Sequence, residues 1–505
     1  VPTPSTPSTP STPSTPTVPS VPTVPSVPSA GDEMVSVFGR QVAYKWIVAA
    51  VYVSALFLDI LDTTIVNVAL PKMGAELQSS KVEWVVLGYT LSLAVWIPTS
   101  GWLGDRVGTK RTFMFALSVF TLGSALCGLA QSLEQLVAFR VVQGIGGGML
   151  TPVGMAMLFR AFPPAERARA SSIIMVPTLF APALGPVLGG LLTEYLDWRW
   201  IFYVNLPIAM VAIWFGFTYL REHREPSAGR LDVAGFFLSA GALALLVYAL
   251  EQGSLEGWGS PEIAITAAIG LACAVAMVLV ELRIPFPMID LRLLNNRIFR
   301  QCNVVSLFSM AGFIGVTFVL PLYLQNIRGL DPLESGLTTF PQAFGVMASA
   351  FVAGRIYAAV GPRRMMSVGL ALAAATIVLL TRIEPDTSLW YIRTVIFLRG
   401  MCMGFAFLPM QAASYATIPP SQNGRASSLF STQRQVSVSI GVAVMASILT
   451  AHMPFDRPVS GGAVGKAMDG VHLALWVAVA FNVLSSLAAL FIRDDDARHT
   501  MVRRR

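Results

Sequence analysis

Fourteen long apolar runs, each followed by a short polar loop, set the pattern of this chain. They occupy residues 46–70, 82–103, 113–130, 136–159, 171–192, 201–220 and 233–250, then 263–282, 304–324, 337–360, 365–380, 389–409, 426–450 and 471–492. At a rise of about 1.5 Å per residue, some 20 apolar residues in a helix cross a hydrocarbon layer about 30 Å thick. The pattern therefore predicts fourteen membrane-spanning helices. The polar loops are not alike. Arg106, Lys110 and Arg111 fall in one loop, Arg160, Arg167 and Arg169 in the next but one, and Arg221, Arg224 and Arg230 after the sixth run. Arg283, Arg292, Arg297, Arg300, Arg363, Arg364 and the terminal Arg503, Arg504 and Arg505 continue the alternation. Basic loops stay on the cytoplasmic side, so both termini are expected to be cytoplasmic. Residues 288–299 read as an amphipathic helix lying on the inner surface ahead of the ninth run.

Composition narrows the class. Of 505 residues, 54% are hydrophobic and 12% charged, against about 25% charged in a soluble domain. The reading is an all-α integral membrane protein, multi-pass in the cell membrane, with the lipid bilayer as its main partner. The net charge of +7 sits in short loops, where it signals topology; no nucleic-acid partner is expected. Cys127, Cys273, Cys302 and Cys402 all lie within apolar runs and read as small core residues, neither disulfides nor metal ligands. His223, His452, His472 and His499 form no ligand spacing, and there is no phosphate-binding GxxxxGK[S/T] loop. An enzyme is not expected, nor a metal or organic cofactor. Residues 1–30, with a Pro at every second or third position, read as an extended, disordered tail and not as a signal peptide.

The chain repeats itself. Phe162-Pro-Pro-Ala-Glu-Arg-Ala-Arg-Ala-Ser-Ser172 resembles Ile418-Pro-Pro-Ser-Gln-Asn-Gly-Arg-Ala-Ser-Ser428. Gly101-Trp-Leu-Gly-Asp105-Arg-Val-Gly108-Thr-Lys-Arg111 resembles Gly354-Arg-Ile-Tyr-Ala358-Ala-Val-Gly361-Pro-Arg-Arg364, in the same order and at nearly the same offset. This predicts two six-helix bundles, 46–220 and 301–492. A linker, 221–300, carries two inserted helices and the surface segment, and 493–505 is a cytoplasmic tail. Duplicated bundles place a substrate path at their interface, with access alternating as they rock.

A few charges sit inside the apolar runs, where they are expensive and functional by default. Asp59 and Asp62, three apart, share one helix face about a turn apart. Arg140 lies roughly 9 Å from the outer end of its run and Asp62 roughly 12 Å from the outer end of the first, depths that suit an ion pair. Such a pair resists protonation until it breaks, which can tie proton binding to a conformational switch. Asp59 has no partner legible in the sequence and is the other candidate proton carrier; the residues leave the choice open. Arg399 and Arg434 are the membrane charges of the second half. With Asn67, Gln143 and Gln433 they are candidates to line a cavity.

Six motifs in order then resemble one family. Asp62-Thr-Thr-Ile-Val-Asn-Val-Ala-Leu-Pro71 is similar to the first-helix signature of the fourteen-helix drug:proton antiporters (EmrB/QacA type) of the major facilitator superfamily. Gly101 to Phe113 resembles the loop 2–3 motif, Arg140-Val-Val-Gln-Gly-Ile-Gly-Gly-Gly148 the helix-4 motif, and Ala181-Pro-Ala-Leu-Gly185-Pro-Val-Leu-Gly-Gly190 the helix-5 antiporter motif. Trp198-Arg-Trp-Ile-Phe-Tyr-Val-Asn-Leu-Pro207 and Gly229-Arg-Leu-Asp232-Val-Ala-Gly235 also fit. The resemblance spans residues 46–492. It implies a proton-coupled exporter of amphipathic drugs, conferring multidrug resistance and working as a monomer, joined by a periplasmic adaptor only in a Gram-negative cell. It implies gating by Gly101, Asp105, Arg106, Gly108, Lys110 and Arg111, where Asp105 can cap a neighbouring helix and latch one conformation. It ties Pro182, Gly185, Pro186, Gly189 and Gly190 to export through close helix packing. An exporter dedicated to one endogenous metabolite or antibiotic shares every motif; a proton-coupled uptake carrier fits the helix-5 motif less well.

Overall fold

The computed structural model of the chain describes residues 33–501, apart from 80, 164–165, 226–231, 286, 454–458 and 460. The tail expected over 1–30 lies outside the described residues. The chain then departs from the all-helical expectation with a short antiparallel hairpin, β1 (Met34–Val37) and β2 (Arg40–Ala43), in which Val35 pairs with Val42. Its two-residue turn, Phe38-Gly39, has both residues at positive φ, the hand that matches the twist of paired strands.

Helices follow throughout: α1 (Tyr44–Glu76), α2 (Glu83–Val107), α3 (Thr109–Leu129), α4 (Leu133–Ala161), α5 (Arg167–Tyr195), the single turn α6 (Trp200–Tyr203) and α7 (Asn205–Tyr219). After the linker come α8 (Val233–Glu256), α9 (Pro261–Glu281), α10 (Arg297–Leu322), α11 (Pro332–Thr339) and α12 (Pro341–Val360). The last four are α13 (Pro362–Leu380), α14 (Leu389–Ser414), α15 (Asn423–Thr450) and α16 (Ala463–Ala489). Local signals set their ends. Ser132 caps α4 by accepting from Gln135 N, Asp232 caps α8 by accepting from Gly235 N at 2.7 Å, and Asp331 caps α11 by accepting from Glu334 N at 2.6 Å. Each such cap stabilises its helix by about 1 kcal/mol.

Among the described residues, 12 helical stretches are long and apolar enough to cross a membrane, with α6–α7 and α11–α12 each acting as one. The 29-residue α5 and the 28-residue α15 are of spanning length but lie outside that set. In α15 the reason is visible: Gln433, Arg434 and Gln435 interrupt the apolar run at mid-length.

The helices pack by one scheme used twice. In the first stretch α1 packs on α5, α2 on α4, and α3 on α4 and α7; in the second α10 packs on α15, α12 on α14, and α13 on α14 and α16. The two stretches meet where α15 lies on α2 and α4, and where α5 lies on α12 and α14. Helix α8 packs on both α2 and α15, and Leu91, Ala94, Leu243, Val247 and Val436 form one small apolar cluster there. Trp84 stacks near Tyr248 and Trp258 Nε1 donates to Ser447 Oγ at 2.8 Å, so the inserted pair touches both stretches.

Residues 288–299 do not form the surface helix expected of them. Only Leu291–Asn295 makes a 3₁₀ turn, and Met288, Ile289 and Leu293 are buried in the protein. Two side-chain caps cut the stretch short: Asp290 accepts from Arg292 N, and Asn296 accepts from Phe299 N to start α10. Nor is 493–505 wholly a tail, because Asp494–Thr500 folds as a 3₁₀ turn whose Thr500 Oγ1 lies 2.7 Å from Tyr357 Oη.

Candidate functional site

The site begins on α1. Asp62 is wholly buried, and its carboxylate is paired with the Arg140 guanidinium of α4. Gln143, one turn along α4 from Arg140, donates from Nε2 to Asp62 Oδ1 at 2.8 Å and accepts from Arg140 Nη1 at 2.8 Å. Asn205 at the start of α7 donates to Asp62 Oδ1 at 3.2 Å and to Ser124 Oγ of α3 at 3.1 Å. Arg140 Nε donates to the Val85 carbonyl of α2 at 3.1 Å. Four other helices thus converge on a single carboxylate. An ion pair held this far from water needs further partners for its donors and acceptors, and here Arg140 Nε and Nη1 and both Asp62 oxygens have them.

Asp59 lies one turn nearer the N-terminal end of α1 and is 8% exposed. The sequence suggested no partner for it; the structure supplies Tyr89 of α2, whose hydroxyl donates to Asp59 Oδ1 at 2.5 Å. The ring of the same tyrosine covers Arg140, with 4.1 Å from the guanidinium carbon to the ring centroid. Arg434 of α15 lies within electrostatic range of Asp59. It is partly exposed, as are Gln433 and, more fully, Asn67. Two of the cavity candidates do not line a cavity. Gln143 is consumed by the Asp62 site. Arg399 is buried among α10, α12 and α14, donating to the Gln342 side chain and to the carbonyls of Gly312 and Phe313.

Arg399 nevertheless explains itself. It sits on α14 as Arg140 sits on α4, and reaches α10 and α12 as Arg140 reaches α1 and α2. Where α1 offers Arg140 the Asp62 carboxylate, α10 offers Arg399 backbone oxygen at Gly312 and Phe313.

The loop 2–3 residues gather where the two stretches meet, at the end of α2. Gly101 of α2 abuts α15 so closely that a side-chain carbon there would fall 2.6 Å from the Gly424 carbonyl. Ser428 Oγ donates to the carbonyls of Ile97 and Pro98, and Ser427 Oγ to that of Pro152. Tyr415 joins from α14's end, its hydroxyl 3.2 Å from Met155 Sδ and its ring 4.7 Å from that of Phe159. Asp105, buried, lies against Gly424 in the first turn of α15, whose own N-cap, Gln422, makes no side-chain cap bond. A carboxylate there complements the positive end of the helix dipole. Arg106 and Arg111 are exposed, and Lys110 donates to the Phe217 carbonyl. Gly108, at φ +118°, turns the chain between α2 and α3. On α5, Gly185 and Gly189 face α1 between Thr64 and Val68, Gly190 faces open space, and Pro182 and Pro186 lie within an unbroken helix.

A family model described as "Major Facilitator Superfamily" matches residues 52–442 and 303–503. The chain belongs to that superfamily. It is thus a multi-pass membrane transporter, not a member of an enzyme family. Relatives within the superfamily include "Multidrug resistance protein B homolog" of Mycobacterium tuberculosis, 35% identical over 87% of this chain and 85% of the relative. Another is "Putative multidrug resistance protein MdtD" of Pectobacterium carotovorum, 33% identical over 87% of this chain and 94% of the relative. The human organic anion transporter MFSD10 shares the fold at a TM-score of 0.64 and 16% identity, covering 88% of this chain and 99% of that one.

Sequence reasoning missed Tyr89, Asn205 and Ser124. Asn205 was within reach, as a lone amide at the head of the sixth apolar run. Tyr89 and Ser124 carry no such signal, because hydroxyls inside apolar helices are common and only the fold shows where they point.

Proposed function

We propose that this transporter exports amphipathic, drug-like molecules across the cytoplasmic membrane in exchange for protons. Fourteen spans are arranged as two six-helix bundles and an inserted pair, with both termini inside. Asp62 and Asp59 are the proton-binding groups and Arg140 is the counter-charge that protonation displaces. The observation that carries this reading is the carboxylate–arginine pair with no solvent exposure, built from five helices. A structural ion pair of that burial is often replaceable by apolar packing, so its presence inside a transporter favours a switch. The relatives' printed names support drugs as substrates. The closed inner face, with Gly101 on α15 and Asp105 at its first turn, fits a carrier resting with its path open to the outside. Protonation there would neutralise Asp62, release Arg140 and let the bundles rock back inward.

The test is substrate-induced proton release in inverted membrane vesicles, with a panel of cationic, neutral and anionic compounds. Several unrelated compounds should collapse an imposed pH gradient in the wild type, and Asp62→Asn should abolish this. A response to one compound alone would mark a dedicated exporter. No response to any, with Asp62→Asn like wild type, would remove the antiport reading.

A further inference from the structure

Two carboxylates one turn apart on α1 have different surroundings, yet one side chain touches both sites. Asp62 is sealed among Arg140, Gln143 and Asn205. Asp59 keeps 8% of its surface and is the one that faces the second half of the protein. Tyr89 stands between them, its hydroxyl on Asp59 and its ring on the guanidinium that neutralises Asp62. The room for this arrangement comes from the helix-4 motif. A side-chain carbon at Gly147 would fall 2.5 Å from Tyr89 Oη and 3.0 Å from Asp59 Oδ1, so any larger residue would split the pair.

We propose that Tyr89 is a positioning residue that reports the state of Asp59 to the Asp62–Arg140 pair. While Asp59 is ionised, a charge-assisted hydrogen bond holds the phenol, and the ring stays stacked on Arg140. When Asp59 takes up a proton, or a cationic group of the substrate engages it, that bond loses roughly half its strength. The ring is then free to leave the guanidinium face. Arg140 loses a cation–π contact that is strongest in a dry site, and Asp62 becomes easier to protonate. The two acids thus act as a coupled set rather than as rival proton carriers. The charged and titratable groups facing Asp59 are Tyr52 and Asp62 on its own helix, Tyr89 on α2 and Arg434 on α15, with Arg140 of α4 behind the Tyr89 ring.

The inference rests on the proton-coupled reading, and the experiment separates the two. Ethidium-induced proton release is followed in inverted vesicles across a pH series for wild type, Tyr89→Phe, Asp59→Asn, the double variant and Asp62→Asn. Tyr89→Phe keeps an aromatic ring at this position but removes the hydroxyl that holds it over Arg140. It should move the pH midpoint of proton release by about half a unit or more. Asp59→Asn leaves the phenol only the neutral bond that protonation would leave, so Tyr89→Phe should shift the midpoint by much less on top of it, and should be silent in the already inactive Asp62→Asn. A Tyr89→Phe profile that superimposes on wild type, or a shift that adds in full to that of Asp59→Asn, overturns the role of Tyr89 alone. Absence of proton release from wild type with ethidium and with every other compound of the panel overturns both readings together.

Discussion

Gly101 of α2 meets Ser428 of α15 where the two stretches close on each other, and a side-chain carbon on the glycine would come within 2.9 Å of the serine Cβ. The duplicate positions meet in the reciprocal way: a side-chain carbon on Gly354 of α12 would lie 3.2 Å from Ser172 Oγ of α5. Each copy of the glycine segment thus closes on the serine segment of the other copy. The contacts are not equal, since the first is tight and backed by Asp105, while its duplicate has Ala358 and more room.

Substitutions should expose this asymmetry. Gly101→Ala must push α2 away from the Gly424 backbone, whereas Gly354→Ala needs only a few tenths of an ångström from one serine hydroxyl. The expected result is at least a tenfold loss of transport for Gly101→Ala and less than twofold for Gly354→Ala, because a backbone collision costs roughly 1–3 kcal/mol and a side-chain one little. A cysteine at Ser427, buried in the closed state, should react faster with a membrane-impermeant thiol reagent in the Gly101→Ala background than in the wild-type background. Equal transport by both variants would remove the argument.

The Asp62–Arg140 pair makes a claim about stability as well as about protons. Arg140→Met leaves Asp62 charged and unpaired in a dry site, which should destabilise the protein by about 3–5 kcal/mol. Neutralising both partners, with Asp62→Asn added, should recover most of that loss. Thermal unfolding in detergent, followed with a thiol-reactive dye on the buried Cys127 and Cys302, measures the difference. A double variant as unstable as Arg140→Met would show that the arginine contributes chiefly through packing.

Arg399 should behave in the opposite way. Its partners are the Gln342 side chain and the carbonyls of α10, and its Nε has no acceptor among the described residues. A buried cation of this kind is held at a cost, so Arg399→Met should be within about 1 kcal/mol of wild type or more stable. The same unfolding assay decides it, and a loss comparable to that of Arg140→Met would mean that an anionic partner exists.

Much of this was legible in the sequence for reasons that can be named. The helices were, because apolar runs of spanning length announce themselves, and so was the Asp62–Arg140 pairing, because matched depths in a dry medium leave a carboxylate and a guanidinium few alternatives. The internal repeat marked the closing segments but not their crosswise pairing, which depends on how the two halves are placed. Tyr89 was silent, since its importance lies in a ring stacked on one charge and a hydroxyl bonded to another. Arg399 was misread as a cavity residue because the sequence shows that a charge is embedded but not which way it faces. The turn at Leu291–Asn295 was mistaken for a surface helix, because its apolar positions carry a helical spacing while Asp290 and Asn296 cap it into a short 3₁₀ segment.

Two carboxylates close equivalent helix starts in the two stretches in the same manner. Glu222, three residues after α7, accepts from Lys110 N at 3.1 Å and Arg111 N at 3.3 Å at the start of α3; Asp494, shortly after α16, accepts from Arg363 N at 2.9 Å at the start of α13. Glu222→Ala and Asp494→Ala should each lower stability by about 1 kcal/mol, as the loss of a helix cap does. Glu222→Gln keeps the acceptor oxygen and should lose about half as much. Asp494→Ala should leave the Gly101 contact intact, whereas Glu222→Ala should raise thiol reactivity of a cysteine placed at Ser427, since Glu222 belongs to the segment that holds the end of α2.

That segment contains the one histidine beside the loop 2–3 motif. The His223 carbonyl accepts from Thr109 N at 2.9 Å, Glu225 N donates to the Asp105 carbonyl at 2.8 Å, and His223 Nε2 lies 4.0 Å from Glu225 Oε2. Partial burial and the charge of Arg160 hold the His223 imidazole below its ordinary value, against the opposing pull of Glu225 and Glu222. A group whose folded value is depressed binds protons more readily when its segment is released, so the clamp is stable above the ordinary histidine value of about 6.5 and weakens as pH falls through it. Hydrogen–deuterium exchange of the amides of residues 105–111, corrected for intrinsic rates, should rise when the medium bathing this loop is taken from about pH 7.5 to about pH 5.5, on either side of that value. His223→Asn cannot titrate and should flatten the response. A wild-type exchange rate that falls with acid would mean that His223 gains, not loses, contacts on protonation, and that Glu225 outweighs Arg160 at this site.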